Sequence, residues 1–280
     1  MRNDLRTLGR NESKLILSLR EQDRQVVSAA EVIELLGSAS TGRKVIHNLL
    51  RKGWLSRLVG GRYMVLPPEY GPENLGENNI LALAAAVVEP SYVGWWSAAA
   101  FHGFTTQKPM AVSVAALRQA TARTIEGGAV QFIKVAQRKF FGFENYNVYG
   151  RTVAISTPAK TVVDCVDRPD LAGGAAELTR IVFGASASVA VADVADLAGQ
   201  MGSTALLQRL GYLADLAGWP IPADVRATLR AAIPPSARAV FGRPERKSDD
   251  VGYVPDWGLL VHARRDDLLS DVPRPRGAAA

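Results

Sequence analysis

Residues 28–66 read SAAEVIELLGSASTGRKVIHNLLRKGWLSRLVGGRYMVL, and their punctuation decides the fold of the first part of the chain. Ser28-Ala29-Ala30-Glu31 is a capping box, in which the serine hydroxyl accepts the Glu31 backbone N–H and the glutamate reaches back to the Ser28 amide. Val32, Leu35 and Leu36 form the apolar face of that helix, and Gly37 supplies a left-handed stop. A third helix is expected to start on Ser40 or Thr41 as its N-cap and to end at Gly53, with Val45, Ile46, Leu49 and Leu50 as its buried stripe. Ser40, Arg43, Lys44, His47 and Arg51 fall on its opposite face. Trp54 to Val59 and Arg62 to Leu66 read as two strands joined by Gly60-Gly61, a tight hairpin whose turn needs positive φ.

Upstream, Leu15, Ile16 and Leu19 recur at helical spacing, with Leu5 and Leu8 extending the stripe. Three short helices and a hairpin predict a winged helix-turn-helix over residues 1–66, whose expected partner is double-stranded DNA. On the third helix Arg43 and Lys44 are placed to read guanine and Asn48 to read adenine. Arg51, Ser40 and Thr41 are suited to phosphate, and His47 to phosphate or water, since no second metal ligand lies one turn from it. Gly60 and Gly61 permit close approach to a nucleic-acid backbone. Beside them Arg62, at the wing tip, is expected in the minor groove or on a phosphate. A solvated basic face, or a winged domain that binds protein, is the blander reading of the same pattern.

The charge distribution favours the first reading. Residues 1–66 hold 12 Lys and Arg against 6 Asp and Glu, which accounts for the whole net charge of +6; the other 214 residues balance at 21 of each sign. A small basic module joined to a neutral one is implied. The chain has 280 residues, 48% of them hydrophobic and 21% charged, which excludes a disordered or collagen-like protein. One cysteine, Cys165, cannot form an internal bridge and suits a reducing compartment. MRNDLRTLGRNESK carries no apolar run behind its arginines, and the longest apolar stretch, 80–88, is far short of a membrane span. A soluble cytoplasmic protein without membrane association is expected.

Proline and glycine crowd residues 67–78, read as a linker. Residues 79–262 are expected to form a larger mixed α/β domain with a mainly antiparallel sheet, so the fold class as a whole is α+β. Helices are expected from Asn79 to Val88 and within 91–101, where Trp95 and Trp96 are core candidates. Strand patterns follow at Val112/Val114, Val130–Val135, Tyr146/Val148 and Val153/Ile155. A helix opening on Thr157-Pro158 is expected to run to about Asp167. The pair 191–201 and 204–217 around Gly202-Ser203 reads as a packed helical hairpin with Gln208, Arg209 and Asp215 outside. Residues 234–250 read as loop, 252–261 as one or two strands, and 263–280 as a flexible tail. Lys134, Arg138, Lys139 and Arg151 interleave with Phe140, Phe141, Phe143, Tyr146 and Tyr149, which fits sheet core and edge better than a single-strand platform, with a partner surface as a further alternative.

Catalytic patterns are missing. There is no phosphate loop, no dinucleotide fingerprint and no nucleophile elbow, and His47, His102 and His262 lie far apart from one another and from Cys165. Pro255-Asp256 lacks the following E-x-K of a nuclease site, and Asp164 and Asp167, three apart on a helix, read as a solvent-facing pair. A protein without cofactor, metal or enzymatic activity is expected.

Four segments occur in order: Leu58-Val59-Gly60-Gly61-Arg62-Tyr63-Met64-Val65, then Trp96 to Phe104 (WSAAAFHGF), Val153 to Asp164 (VAISTPAKTVVD) and Leu206 to Leu213 (LLQRLGYL). Together they resemble the AbiE-type antitoxins, the AbiEi family of bacterial type IV toxin–antitoxin pairs, over residues 12–217. That resemblance implies an autorepressor that binds its own operator through the winged domain. It also implies a C-terminal domain that counteracts a nucleotidyltransferase-like toxin from the same operon, by contact or functionally. The alternative is a stand-alone ligand-sensing winged-helix transcription factor, which would need an enclosed pocket with converging polar groups.

Overall fold

The computed structural model describes residues 7–22, 24–58, 61–66, 79–125, 128–270 and 272. The expected linker 67–78 and Gly60 lie outside them. The chain divides into two compact units: residues 1–90 with 124–128 and 146–153, and residues 91–123 with 129–145 and 154–280. The second domain was expected to begin at 79; instead residues 79–90 group with the first unit.

The first unit contains α1 (Arg10–Glu21), β1 (Val26–Ser28), α2 (Ala29–Leu36), α3 (Ala39–Arg51), β2 (Leu55–Arg57), β3 (Arg62–Val65) and α4 (Ile80–Ala85). The capping box forms at α2: Ser28 Oγ accepts from the Glu31 amide at 3.2 Å, and Glu31 Oε2 accepts from the Ser28 amide at 2.7 Å. Gly37 closes α2 at φ +69°. The N-cap of α3 is Ser38 rather than Ser40 or Thr41; its hydroxyl accepts the Thr41 amide, and the helix starts two to three residues earlier than expected. Leu15, Ile16, Leu19, Val32, Val45, Ile46, Leu49 and Val65 make the core of this unit, while Leu50 is half-buried against it.

Two features were not legible. β1 pairs antiparallel with β3 (Val26 opposite Met64, Ser28 opposite Arg62), giving a three-stranded sheet of order β1-β3-β2. Gly42, in the first turn of α3, is buried against α2, where a Cβ would meet Ile33 Cγ1 at 2.8 Å and Ile33 Cα at 3.2 Å. Gly42→Ala is therefore expected to push α3 off α2 and to cost about 1–3 kcal/mol in denaturant unfolding; a stability equal to that of the parent would contradict this close approach.

The rest of the chain runs β4 (Ser91–Val93), α5 (Trp95–Phe101), β5 (Ala111–Ala116), β6 (Arg123–Ile125), β7 (Gly128–Lys134), β8 (Phe143–Val148), β9 (Arg151–Ser156) and α6 (Pro158–Asp167). It continues with α7 (Ala175–Ser186), α8 (Val191–Met201), α9 (Thr204–Ala217), α10 (Ala223–Ala231), β10 (Ala239–Gly242), β11 (Gly252–Val254), β12 (Leu259–His262) and α11 (Arg265–Leu269). Residues 91–93 are a strand where a helix start was expected. The six-stranded sheet has order β6-β7-β5-β4-β9-β8 and is mixed: β5 pairs β7 in parallel and β4 pairs β9 in parallel, while β4 and β5 are antiparallel. The centre of the sheet therefore departs from the mainly antiparallel expectation, because crossovers bring non-consecutive strands together.

Pro158 occupies the first turn of α6 behind a Thr157 cap. α8 and α9 form the expected hairpin, with Gly202 left-handed at the stop and Ser203 capping the next helix. Gln208 is buried rather than exposed, donating to the Gly258 carbonyl at 2.8 Å. Residues 239–242, expected as loop, form β10 parallel to β12. The segment from 263, expected as tail, holds α11, whose Leu268 is buried in the core of this unit.

Candidate nucleic-acid interface

The sequence-predicted site falls on one side of α3. Ser40, Arg43, Lys44, His47 and Arg51 are all exposed there, and Arg43, Lys44 and His47 take part in no ion pair among the described residues. The stripe of Val45, Ile46 and Leu49 turns the other way into the core, so burial of those three fixes the outward direction of the cations. Ser40 Oγ lies 3.1 Å from the Ser38 hydroxyl.

Asn48 and Thr41 are half-buried and, with Ser40 and Lys44, line a groove beside α1. The Asn48 side chain hydrogen-bonds Glu12 of α1, so it is committed within the unit rather than displayed for adenine. Glu12 is itself buried. Its carboxylate accepts from the Gly9 amide at 2.7 Å and from Lys52 Nζ at 2.7 Å. Burial raises its pKa, but the Lys52, Gly9 and Asn48 hydrogen bonds outweigh that and hold it below the usual carboxylate value.

The hairpin end differs from expectation. Gly61 is exposed at φ +72° with nothing within 4 Å of a Cβ built there, so the turn does need a glycine and is open to approach. Arg62 is not displayed beside it. Its guanidinium pairs with Glu89 at 2.9 Å and donates to the Val87 carbonyl at 3.4 Å. The arginine placed at the wing tip by sequence is thus held along β3 by a partner 27 positions away, which no local pattern announces.

Sequence reasoning passed over Arg10 and Lys14. Both are exposed on α1, four residues apart, and face a groove shared with Ser40, Thr41 and Lys44. Their spacing opposite the Leu15/Ile16/Leu19 stripe was the available signal.

In the second unit two clusters of charged groups are buried. Lys160 and Asp164, one helical turn apart on α6, are both buried, with Nζ and Oδ1 2.5 Å apart. Tyr92 of β4 joins them: its hydroxyl donates to Asp164 Oδ2 at 3.2 Å and accepts from Lys160 Nζ at 3.1 Å. Phe143 stacks on Tyr92 at 4.9 Å, and Lys160 Nζ lies 4.9 Å from the Phe141 ring. The phenylalanines of the basic-aromatic stretch are thus half-buried against the core, while Tyr149 is exposed. Burial pushes the Asp164 carboxyl up, against the pull of Lys160 and Tyr92. Asp164 therefore is not solvent-facing as expected. Asp167 pairs with Lys139 at 2.5 Å.

Glu177 of α7 forms a second buried node, accepting from Trp96 Nε1 at 3.1 Å, Thr105 Oγ1 at 2.5 Å and Arg180 at 2.6 Å. His102 Nε2 lies 2.7 Å from the Ser156 carbonyl, and burial pushes the Cys165 thiol up, away from nucleophilic use. Among the described residues no three His, Cys, Asp or Glu side chains are grouped to hold a metal ion, and no helix is long and apolar enough to cross a membrane.

These observations define a protein of two units, one with an exposed cationic row on α3, the other a mixed α/β unit with buried charged clusters in its core. Residues 92–216 match the family model described as the AbiEi antitoxin C-terminal domain. That stretch is thereby similar to an antitoxin domain of toxin–antitoxin systems. The three segments WSAAAFHGF, VAISTPAKTVVD and LLQRLGYL all lie inside that match. No curated protein matches the chain. The crystal structure of the RV2827C protein from Mycobacterium tuberculosis is similar with a TM-score of 0.61 at 20% identity, covering 94% of this chain and 95% of that one. At that identity the likeness concerns the fold.

Proposed function

We propose that the protein is a DNA-binding autorepressor and antitoxin, not an enzyme, working in the bacterial cytoplasm. In this reading the first unit is a winged helix-turn-helix: α2 and α3 form the reading pair, β2 and β3 the wing, and α3 enters the major groove of the protein's own operator. The exposed row Arg43, Lys44, His47 and Arg51 carries the proposal, because Arg43 and Lys44 have no anionic partner among the described residues and α3 is held by its buried face. Gly61 supports a close approach of the wing to the nucleic-acid backbone, with Gly60 as its expected companion. Arg62 would reach DNA only by exchanging Glu89 for phosphate. The antitoxin domain supports a cognate toxin as the second partner. The resemblance suggests a nucleotidyltransferase-like one from the same operon, countered directly or functionally.

The test joins both halves. The full chain should shift duplex DNA taken from upstream of its own gene, with affinity falling steeply as salt rises. Co-expression with the product of the adjacent gene should rescue growth. Salt-independent binding, or none, overturns the DNA assignment; failure to rescue overturns the antitoxin pairing.

A further inference from the structure

The groove between α1 and α3 has a volume of about 880 Å³ and lies beside the exposed face of α3, sharing Lys44 with it. Its rim is cationic from both sides. Arg10 and Lys14 come from α1, and Lys44 from α3. Arg10 and Lys44 are exposed without an ion pair among the described residues, and Lys14 Nζ has only the Leu35 carbonyl at 3.3 Å. Ser40 and Thr41 add hydroxyls to the same rim.

Glu12 also lines the groove, and an open carboxylate there would repel an anion. It is not open: the Gly9 amide, Lys52 and Asn48 already satisfy it, and Lys52 cancels its charge. The Gly9 amide is thereby taken as well, so the attraction comes from the three rim cations rather than from the end of α1. Cations converging from two helices on a long open groove suit a phosphodiester strand better than one small anion.

We infer that this groove seats backbone phosphates of the DNA duplex flanking the base pairs read by α3, with Arg10 and Lys14 binding phosphate outside the predicted interface. The inference rests on the DNA-binding reading above. It adds a sequence-independent clamp at the α1 side, which fixes how the duplex lies along α3.

The experiment compares the full chain with Arg10→Ala/Lys14→Ala by fluorescence anisotropy, on upstream DNA and on an unrelated duplex, across a salt series. Both residues are exposed, and matching melting curves verify the fold of the variant. Affinity should fall by the same factor, roughly 10- to 100-fold at low salt, for both duplexes. The log–log salt slope should become shallower by about 2, near one unit for each phosphate no longer neutralised. The charge-retaining Arg10→Lys/Lys14→Arg variant should keep the parental slope. An unchanged slope in the alanine variant, or a loss confined to upstream DNA, overturns the groove assignment while leaving DNA binding intact. Calorimetric binding of ATP or inorganic phosphate in the micromolar range, abolished by the alanine variant, would reassign the groove to a free ligand. A parent chain that binds neither duplex removes the underlying reading and the groove with it.

Discussion

Lys160→Met is expected to destabilise the second unit by about 3–5 kcal/mol, because it leaves Asp164 charged, buried and without its counter-ion. For a unit of this size that lowers the thermal midpoint by roughly 10 °C. Lys160→Met/Asp164→Leu should recover most of the loss, since a buried ion pair exchanged for packed apolar groups is often neutral. The pH dependence separates this account from simple overpacking. Burial already pushes Asp164 up, and without Lys160 nothing but the Tyr92 hydroxyl opposes it. A carboxyl raised in the folded state favours folding below its unfolded pKa and loses that advantage as pH rises through the folded value. The deficit of the single variant should therefore be largest at neutral pH and shrink as pH falls toward the ordinary carboxylate range. A deficit equal at all pH values would show that the defect is steric.

Arg43→Ala/Lys44→Ala should reduce affinity for upstream DNA by about 100-fold or more and narrow the ratio between upstream and unrelated DNA. Each such side chain is worth about 1–3 kcal/mol when it reads a base edge. Both are exposed on α3 and pair with no acid among the described residues, so the unfolding free energy should stay within about 0.5 kcal/mol of the parent. Arg62→Ala provides the contrast. Its guanidinium is satisfied by Glu89 and Val87, so its removal should affect DNA binding far less than sequence position alone suggests. Equal losses from both variants would mean that Arg62 leaves Glu89 on the DNA.

What could be read from the sequence was what resides within a few neighbouring residues. The capping box at Ser28 and Glu31, the glycine stop at 37, the proline opening of α6 and the Gly202-Ser203 break all form as expected, because each needs only local backbone and one side chain. The direction of the α3 cations followed from periodicity in the same way. The failures are nonlocal. Lys160 and Asp164 have the spacing of a surface pair, and they are buried because Tyr92 and the phenylalanines of residues 140–143 cover them from distant parts of the chain. Arg62 and Gln208 were judged by position and are occupied by Glu89 and the Gly258 carbonyl. β1 is three residues between two helices, too short for an alternation pattern, and exists because β3 offers it a ladder. The α1–α3 groove was hidden for the same reason: Arg10 and Lys44 become neighbours only once the two helices pack.

The placement of β3 at the centre of the small sheet has a consequence for how this protein behaves at high concentration. A bare hairpin would leave the longer strand's amides and carbonyls open along one side, a ready template for another chain. Here both outer strands, β1 and β2, are three residues long, and the four-residue β3 is covered on both sides. An edge that short offers little purchase for intermolecular strand addition. The small sheet thus offers copies of the chain little edge on which to stack into fibrils.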